Sequence, residues 1–178
     1  MAIMADFPTI NTERLVLRQF QPADAEAVRR LAGAKEVAAG TFLPHPYEAG
    51  TAEEWIAGQQ QDHEAGKALT FAIVLAGDRR LVGSIGMEVV AAHKHARLTY
   101  WLGFAYWNQG YCTEAVKALL EYGFTHLNLH RIYAPHFHNN PASGRVLQKV
   151  GMTYEGRMRE HYIRFGQFVD VEIYGMLR

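Results

Sequence analysis

The sequence predicts a mixed α/β fold, a largely antiparallel sheet of six to seven strands with helices on both faces. Three observations lead there: a hairpin with a third strand in the middle of the chain, a switch to helical period at Gly110, and an order of strand, helix, strand, strand after that helix. A chain of 178 residues, 49% apolar and 20% charged, can bury a sizeable core without disulfide or metal staples. No repeat, low-complexity tract or Pro/Ser-rich linker divides it, so one domain is expected over 1–178, with its core from about residue 10.

Leu15, Val16 and Leu17, between Arg14 and Arg18, read as the first strand. Pro22 opens a helix whose Ala25, Val28, Leu31 and Ala32 share one face. Residues 42–47 hold two prolines and two aromatics and read as a loop. Thr51 and Glu54 then have capping-box spacing for a helix to about Ala65 that buries Trp55 and Ile56. Residues 69–76 are apolar and β-prone, Gly77 and Asp78 supply turn chemistry, and 81–90 resumes with Val82, Ile85, Met87 and Val89, which makes a hairpin. Residues 97–104 add a third strand to this meander.

From Gly110 onward, Ala115, Val116, Leu119, Leu120, Gly123, Phe124 and Leu127 recur at three and four, the mark of an amphipathic helix. Residues 131–135 read as the next strand. Asn140 and Pro141 follow as N-cap and first helical residue, Ala142, Val146, Leu147 and Val150 share a face, and Gly151 ends that helix. Strands at about 152–157 and 168–177 close the chain.

Eighteen Lys+Arg balance 18 Asp+Glu, so the broad basic field behind non-specific nucleic-acid affinity is missing and no nucleic-acid partner is expected. Cys112 is the single cysteine; no intrachain disulfide can form, and the reducing cytoplasm is the expected compartment. No apolar run approaches the roughly 20 residues of a bilayer-spanning helix, and residues 1–6 lack the features of a secretory signal. No membrane partner is expected.

Residues 100–115 run from a strand end through a glycine turn into a helix. A helix start leaves about four N–H groups unpaired and carries partial positive charge, so it can hold a pyrophosphate without basic side chains. Gly110 would let the backbone approach that anion, or it could merely relieve a tight turn. A second stretch, 138–152, carries Asn140, Ser143, Val146, Leu147, Lys149, Gly151 and Met152. Together with Tyr100-Trp101-Leu102-Gly103, Tyr106-Trp107 and Gly110-Tyr111-Cys112-Thr113-Glu114-Ala115, it resembles the GCN5-related N-acetyltransferase (GNAT) superfamily, and within it the RimJ/RimL-like branch of ribosomal-protein N-terminal acetyltransferases. The flanks agree, with Thr12-Glu13-Arg14-Leu15-Val16-Leu17-Arg18 and Gly166-Gln167-Phe168-Val169-Asp170-Val171, so the resemblance spans nearly the whole chain. Cys112 replaces a small alanine or glycine, Trp107 stands where the wider superfamily has Gln or Arg, and Gly144 costs the second helix roughly 1 kcal/mol of propensity.

From the residue spacing no metal is expected; the resemblance implies the acyl-CoA N-acyltransferase fold and acetyl-CoA as donor. It places the pyrophosphate on the backbone of Gln109, Gly110, Tyr111, Cys112 and Thr113, with Asn108 beside them, and the pantetheine arm along Trp101, Leu102 and Gly103. Asn140, Ser143 and Lys149 complete the implied cofactor set. An extended amide arm can bond the open edge of a strand as a further strand would. For Tyr100, Trp101, Tyr106, Trp107 and Tyr111, core packing and rim shielding are the expected roles.

Transfer to a primary amine needs the ammonium proton removed, an oxyanion held and a donor for the departing thiolate. The resemblance puts that donor on Ser143, whose hydroxyl would stabilise the thiolate by hydrogen bonding; Ser143 could also do no more than cap its helix. The base is open between Glu88, mid-strand where burial would raise its pKa, Glu160, at the branch's catalytic carboxylate but with register blurred by an inserted residue, and a water chain. Arg97 occupies the strand position that often carries Glu in this branch, and cannot accept a proton. Nine histidines, among them the pairs His93 and His95, His126 and His130, and His136 and His138, lack accompanying ligands at zinc spacing. His136 and His138 lie close enough to the second helix to contact an acceptor. The expected acceptor is the N-terminal α-amine of a protein such as a ribosomal protein, attacked directly in a ternary complex. The alternatives are a small-molecule amine (polyamine, amino acid or antibiotic) and a non-catalytic acyl-CoA-binding module. Exposed sheet edges allow a homodimer.

Overall fold

Apolar residues that run on without alternation in the central strands mark a sheet covered on both sides. The computed structural model describes residues 7–178, so the reading of residues 1–6 falls outside it. The strands are β1 (Ile10–Asn11), β2 (Leu15–Gln19), β3 (Ala68–Leu75), β4 (Leu81–Val90), β5 (His95–Leu102), β6 (Arg131–Phe137), β7 (Thr153–Arg164) and β8 (Gln167–Leu177). They form one sheet in the order β1-β2-β3-β4-β5-β6-β8-β7, antiparallel throughout except between β5 and β6. Among the described residues eight strands replace the expected six to seven, because β1 pairs only Ile10 with Leu17 and Asn11 with Val16, too short a run to show a period.

On one face, α1 (Ala25–Ala32), α2 (Lys35–Ala39) and α3 (Thr51–Glu64) bury Val28, Val37, Ala52 and Ile56 against Ala72, Val74 and Trp101. On the other, α4 (Tyr111–Thr125) and α5 (Pro141–Lys149) set Val116, Leu119 and Leu147 against Leu17, Phe71, Ile85, Leu98 and Ile132. Trp101 and Leu102 thus enter opposite cores, as the period of two in a strand requires. Among the described residues no helix is long and apolar enough to cross a membrane.

Several boundaries differ from the sequence reading. The N-cap of α3 is Gly50, left-handed at φ 87°, with no side-chain cap bond, so Thr51 is already helical and the Thr51–Glu54 box does not form. Pro22 opens a 3-10 turn, Pro22–Asp24, ahead of α1, where Asp24 receives both Arg18 nitrogens at 2.8 and 2.9 Å. β5 stops at Leu102 because a 3-10 turn, Phe104–Tyr106, takes over. β7 runs on to Arg164: it is an edge strand with most residues exposed, so pairing with β8 defines it and apolar alternation does not. The start of α5 is as expected, with the Ser143 N–H donating to Asn140 Oδ1 at 3.3 Å and Pro141 in the first turn.

Candidate active site

The parallel pairing of β5 and β6 covers only His95 with Arg131, Ala96 with Ile132 and Arg97 with Tyr133. Beyond Arg97 each strand keeps its outer neighbour, β4 or β8, and the two splay apart. The splay opens a cleft whose walls are the facing edges of 98–102 and 134–137. An extended amide chain can bond such an edge.

The β5 wall ends in a loop that begins α4. Gly103 packs closely under α1: an added Cβ would sit 2.6 Å from Leu31 Cδ2 and push that side chain aside. Trp107 donates its indole N–H to Leu102 O at 2.9 Å, closing the strand end. Asn108 and Gly110 are left-handed at φ 59° and 82°, and Gly110 caps α4 without a side-chain bond. The first-turn N–H groups of Tyr111, Cys112 and Thr113 therefore face outward with the positive end of the helix dipole.

That turn is tied to the loop between β1 and β2. Glu114 receives the Thr12 hydroxyl at 2.6 Å, the Arg14 N–H at 2.8 Å and Arg14 Nε at 2.7 Å. Burial works to raise the Glu114 carboxyl, but these three donors together hold it below the usual carboxylate range. Arg14 also donates to Gln109 O at 2.9 Å and lies 4.7 Å over the Tyr111 ring. Cys112 packs against the core, and burial pushes its thiol up to about 12, so it stays a neutral filler. Gln109 turns its side-chain amide to Ala105 O at 2.9 Å and, with its carbonyl held by Arg14, leaves its backbone N–H to the loop.

Across the cleft, Ser143 in the first turn of α5 brings Oγ to 2.7 Å from Tyr100 Oη on β5. Burial pushes the Tyr100 phenol up, so it remains protonated. Asn140 spends its amide twice, accepting from Ser143 and donating to Gly40 O at 3.0 Å. Lys149 lies exposed in the last turn of α5, about 9 Å further along the helix by its rise. Gly144 proves to be a close approach: a Cβ there would stand 3.0 Å from His136 Nε2. His136 is buried under α5 with Nε2 3.4 Å from Glu172, which also meets His138 Nδ1 at 2.9 Å.

The two carboxylates proposed as base separate clearly. Glu88 is not buried: its side chain is 53% exposed where the cover of β4 ends, and Arg97 directly opposite grips both oxygens, at 3.0 and 2.5 Å. Glu160 sits in a bulge where β7 slips between Met158 opposite Val171 and Tyr162 opposite Val169. Its backbone is left-handed at φ 49°, its N–H donates to Asp170 at 2.7 Å, and among the described residues its carboxylate makes no hydrogen bond. The open end of the cleft carries Phe42, 4.5 Å from Phe137 and 4.8 Å from Tyr162 between ring centroids. Arg164 ties this corner by donating to Ala38 O at 2.9 Å and Leu43 O at 2.6 Å. Tyr100, Arg14 and Glu114 escaped assignment as site residues from the sequence, although all three stand inside the matched motifs.

A model of the acetyltransferase (GNAT) domain matches residues 14–153. The N-acetyltransferase YoaA of Bacillus subtilis (strain 168) is 30% identical over 173 residues, 97% of this chain and 98% of that protein. The crystal structure of a GNAT-family acetyltransferase from Bacillus anthracis superposes with a TM-score of 0.83 at 28% identity, covering 96% of this chain and 98% of that one. RimL, a ribosomal L7/L12 alpha-N-protein acetyltransferase solved with coenzyme A, superposes at 0.89 with 20% identity over 96% and 98%, a likeness of fold alone.

Proposed function

The chain belongs to the GNAT acetyltransferase family, and from that premise we propose that it acetylates the N-terminal α-amine of a protein, such as a ribosomal protein, in a ternary complex. It is an acetyl-CoA-dependent N-acetyltransferase. The whole of 1–178, with its core from about residue 10, works as one domain, in the cytoplasm. The observation that carries the assignment of sites is the divergence of β5 and β6 beside an α4 whose first turn has no side-chain cap.

The residues present fit acetyl-CoA: at the left-handed Gly110 the space a Cβ would take meets, among the described residues, only the Arg14 guanidinium, at 3.2 Å. The donor supplies an activated acetyl thioester. Residues 109–113 take the pyrophosphate on backbone N–H groups, and along Trp101, Leu102 and Gly103 the pantetheine arm meets the Leu102 N–H, since Gly103 gives its N–H to Val82 on β4 and its carbonyl to Tyr106, and the Leu102 carbonyl is held by Trp107. Trp101 supports that edge without bonding the arm, its backbone facing Ser84 on β4 and its ring buried in the α1 side core. Ser143 donates a hydrogen bond to the departing thiolate. Glu160 takes the ammonium proton, supported by its unengaged carboxylate, whereas Glu88 would first have to leave Arg97. The acceptor chain enters between residues 40–47 and the β7–β8 hairpin, past Phe42 and Tyr162. The charge-neutral composition and the lack of an acidic run favour a peptide amine over a polyamine.

Calorimetry with acetyl-CoA on the wild type and on Gly110→Trp tests the donor site. Micromolar binding lost in the variant is expected; equal binding would overturn the site. Thiol release with peptides bearing a free N-terminus, the same peptides blocked, and spermidine tests the acceptor. Release with free peptides only is expected, and release with spermidine alone would replace the protein acceptor by a polyamine.

A further inference from the structure

Tyr100 does more than fill the rim. We propose that Tyr100 is a positioning residue that turns the Ser143 hydroxyl toward the departing sulfur; this rests on the reading of Ser143 as the thiolate's hydrogen-bond donor. The two oxygens lie 2.7 Å apart, joining β5 to α5 across the cleft. Tyr100 Oη is also 3.4 Å from the Ser143 carbonyl, and the Ser143 N–H is held by Asn140, so the residue is gripped at both ends.

The direction of the bond follows from what each hydroxyl can do. A serine oxygen accepts readily, and a phenol is the better donor of the two. Buried Tyr100 keeps its one hydrogen, and of its two acceptors on Ser143 the hydroxyl oxygen at 2.7 Å is much nearer than the carbonyl at 3.4 Å, so that hydrogen is assigned to Oγ and the serine hydrogen is left free for the cleft. The reverse arrangement would spend the serine hydrogen on Tyr100. A chain of two hydroxyls also polarises in one direction, strengthening the outer bond.

In the transfer itself, the amine lone pair forms the new C–N bond and the C–S electron pair leaves on sulfur. Ser143 and Tyr100 keep their own protons and spread that charge by hydrogen bonding. The proton lost by the amine passes to the carboxylate and solvent, and solvent later protonates the thiolate.

The thiol of CoA itself is the probe, so no acceptor is needed. Thiolate ultraviolet absorbance of the protein–CoA complex, less that of the protein alone, is followed against pH. Tyr100→Phe and Ser143→Ala are each expected to make the bound thiol about tenfold less acidic than in the wild type, with the double variant no further changed; affinity stays within about twofold at pH values where CoA binds as the thiol and falls by up to about tenfold where it binds as the thiolate. A Tyr100→Phe protein whose bound thiol is as acidic as the wild type's, while Ser143→Ala still shifts it, overturns the proposal alone. Shifts that add in the double variant overturn it too, since Tyr100 would then act independently. If Ser143→Ala leaves the thiol unchanged, or CoA does not bind, the underlying reading of Ser143 or of the site falls and the proposal with it. Tyr100→Met, which also lacks the hydroxyl and keeps apolar bulk, is the second variant should Tyr100→Phe fail to fold, and the same outcomes support or overturn the proposal.

Discussion

Two helices start at the cleft, and they start in opposite ways. α4 begins at a left-handed glycine with no side-chain cap, while α5 begins at Asn140, whose side chain caps Ser143 and whose next residue is proline. An open start offers backbone N–H groups and dipole to a ligand; a closed start gives up that capacity and fixes a side chain in return. The first suits an anion that any protein could hold, the second a single hydroxyl that must point one way.

Substituting at the open start should have the largest effect. Gly110→Trp is expected to weaken acetyl-CoA about a hundredfold or more by calorimetry, and an unchanged affinity would show that the α4 start is not the anion site. At the closed start, Ser143→Ala should lower kcat about a hundredfold while leaving donor affinity within about twofold. Loss of affinity in place of kcat would make the two starts alike. Asn140→Ala removes the cap and the bond to Gly40 together and should cost about 1–2 kcal/mol, seen as a thermal midpoint lower by about 2–6 °C.

The smallest effect concerns what stands behind α4. Glu114→Gln should cost about 1 kcal/mol at neutral pH. The folded carboxyl is held below its unfolded value near 4.3, so its stabilisation is full above that pH and is lost as pH falls through the lower folded value. The gap between wild type and Glu114→Gln in chemical denaturation should therefore close on acidification. A gap independent of pH would mean that Glu114 acts by shape alone.

The same contrast explains what could be read in advance. Asn140, Pro141 and Gly151 are local signals, and α5 was legible to the residue at its start. The hairpin of β3 and β4 was legible too, since its strands are joined by a short turn. Thr51 and Glu54 had capping spacing, but spacing cannot see that Gly50 is left-handed and already caps. Glu88 sat beside an apolar run, yet the helices that cover that run end before it, and only the packed structure shows where a cover stops. Arg14 with Glu114, and Tyr100 with Ser143, are contacts between residues far apart in the chain, which no period or cap can report.

The three residue pairs that join β5 to β6 are also a seam. On one side lie β1 to β5, on the other β6, β8 and β7, and each group is densely bonded within itself. Across the divide the amide of Asn140 reaches Gly40, and Arg164 reaches Ala38 and Leu43. A molecule lodged between the two groups acts as mortar: its binding free energy adds directly to the resistance of the whole fold to melting. Slow amide hydrogen exchange should then spread outward from residues 95–102 and 131–137 when the donor binds, and a protein starved of donor should come apart along that line first.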